Sequence, residues 1–207
     1  MIKIATSILS SKNRKECIEK LNKTDTDYIH IDVMDNIFVP NYQLPIEEVN
    51  ELGKNSKKPL DVHLMVENPE SFIKNIAINN IKSITIHLEI NKNINNLIEL
   101  IKKYNYQVGI AIKPNTDINK IDKYINLIDK VIIMSVEPGF GGQTFIDSSV
   151  DKIKSIRSKR KNIIIEVDGG INNETIKKIS NDADIAVVGS YIINNNDYQE
   201  AINSLKN

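Results

Sequence analysis

One cysteine in 207 residues excludes an internal disulfide, and with no CxxC pair there is no thiolate metal site either. Cys17 is therefore read as a core residue of a chain from a reducing compartment, and its register with Ile18 and Leu21 puts it on the inner face of a helix. Aromatic residues are scarce, at 5%, and no basic run breaks a formal net charge of zero. Nucleic acid has no electrostatic footprint to meet, and any phosphate must be held by local geometry. Long apolar runs are missing as well. None approaches 18 residues, and Met1-Ile2-Lys3-Ile4 lacks the apolar centre and cleavage motif of a signal peptide. The expectation is a soluble, cytoplasmic chain with no membrane partner. At 41% hydrophobic and 26% charged residues the composition is that of a globular protein, which sets disorder aside. Heavy use of Ile, Lys and Asn reads as coding bias, so pattern outweighs residue propensity.

Glycine is sparse too, eight residues in all, yet three of them stand in Ser135-Val136-Glu137-Pro138-Gly139-Phe140-Gly141-Gly142-Gln143-Thr144. The apolar, β-branched run Lys130–Met134 precedes it and reads as a buried strand. A strand that empties into a glycine loop can wrap an anion with bare N–H groups, and a helix starting near Thr144 would add its N-terminal dipole. A structural turn uses the same residues.

Taken in order, the chain alternates. Strands are expected at Ile2–Leu9, Tyr28–Met34, Leu60–Val66, Ser83–Leu88, Gln107–Ile112, Lys130–Met134, Ile163–Val167 and Ala183–Val188. Between and after them, helices are expected at Lys12–Asn22, Pro45–Leu52, 68–78, Asn93–Tyr104, Asp117–Leu127, Phe145–Ser158, Asn172–Ser180 and Asp197–Leu205. Eight strands alternating with eight helices on short loops predict a parallel sheet, closed as a single (β/α)8 TIM barrel over residues 1–207. An open doubly wound sheet is the alternative.

In a barrel, alternate strand positions face inward and active sites sit at the C-terminal strand ends. His30, Asp32 and Met34 share one face of the second strand; Asp61, His63 and Met65 share one face of the third. The seventh carries Glu166 and ends at Asp168-Gly169-Gly170. Burying such groups costs several kcal/mol unless they are paired or coordinated. His30, Asp32, His63 and Asp168 form a donor set suited to Zn²⁺, Fe²⁺ or Mn²⁺; satisfied core histidines are the plainer reading. His87 and Asp61 fit either an interior hydrogen-bond role or a site. Met34, Met65 and Met134 reach the same mouth, as core filler or as a dry wall. Gly169-Gly170-Ile171-Asn172 and Gly189-Ser190, after the last two strands, add glycine loops where barrels bind phosphate.

Over nearly its whole length the chain resembles the ribulose-phosphate 3-epimerase family. The segments that carry this are Ser7-Ile8-Leu9-Ser10, His30 to Asp35 with Phe38-Val39-Pro40-Asn41, Asp61 to Val66, Val136 to Gln143, Glu166 to Gly170, and Gly189-Ser190. The resemblance implies a (β/α)8 barrel that interconverts D-ribulose 5-phosphate and D-xylulose 5-phosphate through the C3 proton. It implies His30, Asp32, His63 and Asp168 as ligands of one divalent metal ion per subunit, Zn²⁺ or Fe²⁺ first, with Mn²⁺ or Co²⁺ also fitting. Asp32 and Asp168 become the acid/base pair. Substrate contacts fall to Ser7, His63, Met34, Met65, Met134, Asp168, Gly169, and the phosphate loops Gly139, Phe140, Gly141, Gly142, Gly170, Gly189 and Ser190. A homo-oligomer, dimer or larger, is implied too. The family usually has proline at Thr6, an acidic residue at Lys12, and glycine at Asn36 and after Asn41. A sibling epimerase acting on allulose 6-phosphate, a Schiff-base aldolase using Lys113, and a non-enzymatic phosphosugar-binding protein are the rivals.

Overall fold

Each run rich in isoleucine and valine becomes a strand, and eight of them pair in parallel into a closed barrel in a computed structural model that describes residues 1–206. The strands are β1 (Lys3–Ser7), β2 (Tyr28–Asp35), β3 (Tyr42–Gln43), β4 (Leu60–Met65), β5 (Ile81–His87), β6 (Gln107–Ile112), β7 (Lys130–Met134), β8 (Ile164–Asp168) and β9 (Ile185–Val188). Pairing runs β1-β9-β8-β7-β6-β5-β4-β2 and closes between β1 and β2. This is the TIM barrel the alternation predicts. The helices are α1 (Arg14–Leu21), α2 (Ile46–Asn55), α3 (Pro69–Asn75), α4 (Ile94–Lys103), α5 (Ser149–Lys159), α6 (Ile176–Ile179), α7 (Ser190–Ile193) and α8 (Tyr198–Lys206). None among the described residues is long and apolar enough to cross a membrane.

Asparagine proves less arbitrary than coding bias suggests. Asn13 and Asn93 cap α1 and α4, their side chains accepting from the N–H groups of Glu16 and Asn96. Asn36 and Asn105 take left-handed turns, at φ 57° and 60°. So Asn36 keeps the turn for which glycine was expected. The altered segment after Asn41 forms β3, an antiparallel addition to β2, and Leu44 then turns at φ 55°. Leu44 is buried there, so its packing sustains a conformation that glycine would adopt without strain.

Three predicted helices change. Asp117–Leu127 is a 3-10 turn over Ile118–Lys123, and Arg160 satisfies the carbonyls of Ile125 and Ile128 beyond it. Asn172–Ser180 shrinks to α6, because the Asn172 side chain accepts from the N–H groups of Glu174 and Thr175 and holds a turn. Phe145–Ser158 starts late, at Ser149, because the Ile146 N–H bonds to the Ser135 carbonyl and ties the segment to the end of β7. No helix dipole therefore stands near Thr144, as the sequence suggested it would.

The barrel has two cores of opposite character. Outward side chains such as Ile29, Ile31, Val62, Leu64, Ile110 and Ile133 pack under the helices in one apolar layer. Inward ones are largely polar, with His30, Asp32, Asp61, His63, Ser83, Thr85, His87, Lys130 and Glu166 all buried, and small apolar clusters such as Ala111, Ile132 and Met134 or Ala5, Ile185 and Val187 lie among them. Lys130, which the sequence reading took into an apolar run, points inward and ion-pairs with Asp61 and, at 2.7 Å, with Glu166. Its Nζ also donates to Ser83 Oγ at 3.1 Å. Burial pushes the Glu166 carboxyl up and the Asp61 charge adds to that, while Lys130 opposes it. Removing Lys130 would strand two buried carboxylates, so Lys130→Met is expected to destabilise the barrel by about 3–5 kcal/mol. Adding Glu166→Gln should restore part of the loss. Urea unfolding of both variants checks this, and a single variant as stable as wild type contradicts it.

Candidate active site

Alternation along the strands delivers the polar residues to the C-terminal mouth in register. Asp32 pairs with His63 across β2 and β4, Met34 with Met65, and Met134 with Asp168 across β7 and β8. Four donor atoms converge there. His30 Nε2 lies 3.3 Å from Asp32 Oδ1 and 3.9 Å from Asp168 Oδ2; His63 Nδ1 lies 3.5 Å and 3.4 Å from the same two oxygens. All four ligand atoms fall within 4.8 Å of one another.

The histidines are held from behind. His30 Nδ1 is 2.8 Å from Asp61 Oδ2, the carboxylate that Lys130 also engages. His63 Nε2 is 2.9 Å from His87 Nε2, and His87 Nδ1 is 3.0 Å from Glu89 Oε2. His87 and Asp61, left open by the sequence, are thus interior partners of the two facing histidines. Lys130 was missed outright, although the alternation Lys130, Ile132, Met134 already placed it on the inward face. Ser135 was missed too; its hydroxyl donates to the carbonyls of Asp168 and Gly169 and fixes the end of β8.

His30 Nε2 and His63 Nδ1 are buried without a hydrogen-bond partner. A divalent ion would satisfy both nitrogens: two imidazole nitrogens and two carboxylate oxygens are a common donor set, and their nitrogen–oxygen separations run from 3.3 to 3.9 Å. Electrostatics agree. Burial pushes His30 towards neutrality, but Asp32, Asp61 and Glu166 outweigh it and raise its pKa well above the imidazole norm. Burial acts likewise on His63, and Asp168 and Asp32 raise it. Burial raises the Asp32 carboxyl, yet His30 and His63 dominate and hold it far below the carboxylate range. The carboxylates thus favour positive charge on the two histidines. His87, by contrast, is pushed down to about 4 chiefly by burial, and is neutral at neutral pH.

Above the cluster opens a cleft of about 340 Å³. Ser7, Asp32, Met34, Met65, Met134 and Asp168 form its floor, and Gly139–Gly142, Gly169, Gly170, Gly189 and Ser190 its walls. Ser7 Oγ donates to Asp32 Oδ2 at 2.6 Å. The glycine loop is braced from within, the Gln143 side chain donating to the carbonyls of Glu137 and Phe140, while Asn41 ties in the Gly139 carbonyl at 2.8 Å. Asn41, just before the changed segment, therefore still reaches the loop. Phe140 is exposed at the rim. Asn172, in the loop that the sequence offers to phosphate after the seventh strand, lines the cleft too, and so do Tyr191 and Asn194, which sequence reasoning did not name. Lys113 does not line it; its Nζ sits over the Phe38 ring at 3.9 Å.

Residues 3–193 match the profile of the Ribulose-phosphate 3 epimerase family. The chain belongs to this family. It is 36% identical over 214 residues to ribulose-phosphate 3-epimerase of Bacillus subtilis, covering 100% of this chain and 99% of the relative. It is 34% identical over 211 residues to the cytoplasmic isoform of that enzyme from Oryza sativa, covering 99% and 92%. In fold it is similar to 3-hexulose-6-phosphate synthase from Salmonella typhimurium, with a TM-score of 0.73 at 17% identity, over 99% of this chain and 96% of that one. The ribulose-phosphate 3-epimerase family thus carries, in this member, a polar interior that ends in four convergent donors.

Two glycines of the cleft separate strain from crowding. Both Gly142 (φ 74°) and Gly170 (φ 66°) are left-handed, but a Cβ on Gly142 meets nothing within 4 Å, whereas one on Gly170 lies 2.5 Å from the Phe145 backbone nitrogen. Gly142→Ala should cost only the left-handed penalty of about 1–2 kcal/mol. Gly170→Ala must also push the chain at Phe145 aside. Its melting temperature is expected to fall further than that of the Gly142 variant, and equal losses would contradict the packing described.

Proposed function

We propose that this chain is a ribulose-phosphate 3-epimerase, interconverting D-ribulose 5-phosphate and D-xylulose 5-phosphate by moving the proton at C3. The observation that carries the reading is the pairing of Asp32 and Asp168 within one donor cluster, from strands that β1 and β9 separate, at the floor of a glycine-walled cleft.

Inversion at C3 needs a proton removed from one face and another delivered to the opposite face, because a single base tends to return the proton it took. Asp32 and Asp168 serve as the two groups. Ser7 Oγ holds the Asp32 carboxylate through Oδ2, which fixes where its other oxygen points. His30, Asp32, His63 and Asp168 would hold one divalent ion, Zn²⁺ or Fe²⁺ first, which when bound supplies Lewis-acid stabilisation of negative charge on the C2 and C3 oxygens. Met34, Met65 and Met134 present an apolar surface beside the reacting carbons and keep water from the enediolate. Gly139 to Gly142, Gly170, Gly189 and Ser190 take the phosphate, with uncovered N–H groups in place of a charged side chain. One plant relative is named as a cytoplasmic isoform, which supports a cytoplasmic chain, and another is named as chloroplastic; a homo-oligomer of two or more barrels rests on the family resemblance alone.

Proton NMR of D-ribulose 5-phosphate in D₂O with the metal-loaded protein should show deuterium at C3 as xylulose 5-phosphate forms. The exchange should stop on stripping the metal and return on restoring it. Asp32→Asn and Asp168→Asn should each slow it by about 10²–10⁴-fold. No exchange by the metal-loaded chain would contradict the assignment and direct the assay to allulose 6-phosphate; exchange that survives complete stripping would contradict the role of the ion.

A further inference from the structure

Metal chemistry needs a bare nitrogen, and on His63 that nitrogen is selected by a residue that touches neither the donor cluster nor the cleft. His63 faces the cluster with Nδ1 and faces away with Nε2, which lies 2.9 Å from Nε2 of His87. Two ring nitrogens at that separation share one proton. Its owner is fixed one step further out. His87 Nδ1 meets Glu89 Oε2 at 3.0 Å, and a carboxylate only accepts, so the His87 proton sits on Nδ1. A neutral His87 then has a bare Nε2, His63 donates to it from Nε2, and a neutral His63 keeps its lone pair on Nδ1, the atom facing the cluster. Glu89 cannot turn away, since its Oε1 accepts the Lys113 N–H at 2.8 Å and the Thr116 hydroxyl.

We propose that Glu89, acting through His87, is a positioning residue that sets His63 in its metal-binding tautomer. The proposal rests on the reading of the four-donor cluster as a metal site. The relay has a direction, and one conservative change reverses it. In Glu89→Gln the Lys113 N–H and the Thr116 hydroxyl still need an acceptor, so the carbonyl oxygen of the new amide stays on them and its NH₂ group faces His87 Nδ1. His87 would then carry its proton on Nε2, and the proton of His63 would move to Nδ1, where it blocks the ion. Thr116→Val removes one bond to Glu89 and leaves the direction of the relay unchanged.

The test pairs a spectrum with a metal titration, neither of which requires turnover. Imidazole ¹⁵N NMR of the Zn²⁺-loaded wild type should show His87 protonated on Nδ1 alone. Competition against a chromophoric chelator should show Zn²⁺ bound about 10–100-fold more weakly by Glu89→Gln, the usual cost of losing a partner behind a metal-ligating histidine, and near wild-type affinity for Thr116→Val. A proton on His87 Nε2 in the wild type overturns the relay, and that observation does not depend on whether any variant folds. Equal affinity of Glu89→Gln and wild type overturns it as well. A wild-type chain that takes up none of Zn²⁺, Mn²⁺ and Co²⁺ overturns the metal reading itself, a separate outcome because it is seen before any variant is made.

Discussion

An imidazole presents a lone pair to a cation only when its proton is held on the other nitrogen, and both tethers that do this are sealed inside the barrel. Asp61 stands behind His30, and His87 stands behind His63. A carboxylate buried beneath the candidate metal cluster needs a counter-charge, and Lys130 provides it from the far side of the barrel, shared with Glu166. The central layers of the barrel are therefore a chain of dependencies. Lys130 fixes Asp61, Asp61 fixes His30, and the free nitrogen of His30 meets that of His63 and one carboxylate oxygen each of Asp32 and Asp168. Such an interior contributes little net stability, since buried ion pairs at best offset their desolvation. The apolar layer between strands and helices does most of the stabilising, which leaves the inside of the barrel free for chemistry.

The cleft divides its labour by the chemistry of its walls. The floor is charged and methionine-lined; the upper walls set glycine backbone among side chains such as Phe140, Gln143, Asn172, Tyr191 and Asn194. Glycines let a ligand approach N–H groups directly, and Gln143 and Asn41 pin the loop carbonyls at Glu137, Phe140 and Gly139. A loop braced this way holds its shape without help from a long helix. That matters here, because α5 begins only at Ser149, well past the glycines.

Period-two alternation made much of this legible in the sequence, since His30-x-Asp32-x-Met34 and Asp61-x-His63-x-Met65 declare an inward polar face before any pairing is known. The count of eight strand–helix units was enough for the barrel. What stayed hidden depends on the closing geometry. Lys130 opens an apolar run and reads as part of it; its partners lie on β4 and β8, and the contact exists only because the sheet closes. His87 and His63 stand on neighbouring strands, but β4 and β5 slip register between Leu60 and Asp61, so their approach is invisible to sequence spacing. Helix starts failed for local reasons. The Ser135 carbonyl captures Ile146, and the Asn172 side chain turns the chain before α6.

Everything proposed for this chain turns on whether four lone pairs meeting at one point hold an ion. Anomalous diffraction from crystals grown with Mn²⁺ or Zn²⁺, collected at the absorption edge of the added metal, tests that most directly. The account predicts one peak per chain, bonded to His30 Nε2, His63 Nδ1, Asp32 and Asp168. A peak bonded elsewhere, or a fully loaded crystal with no density among these four residues, would contradict it.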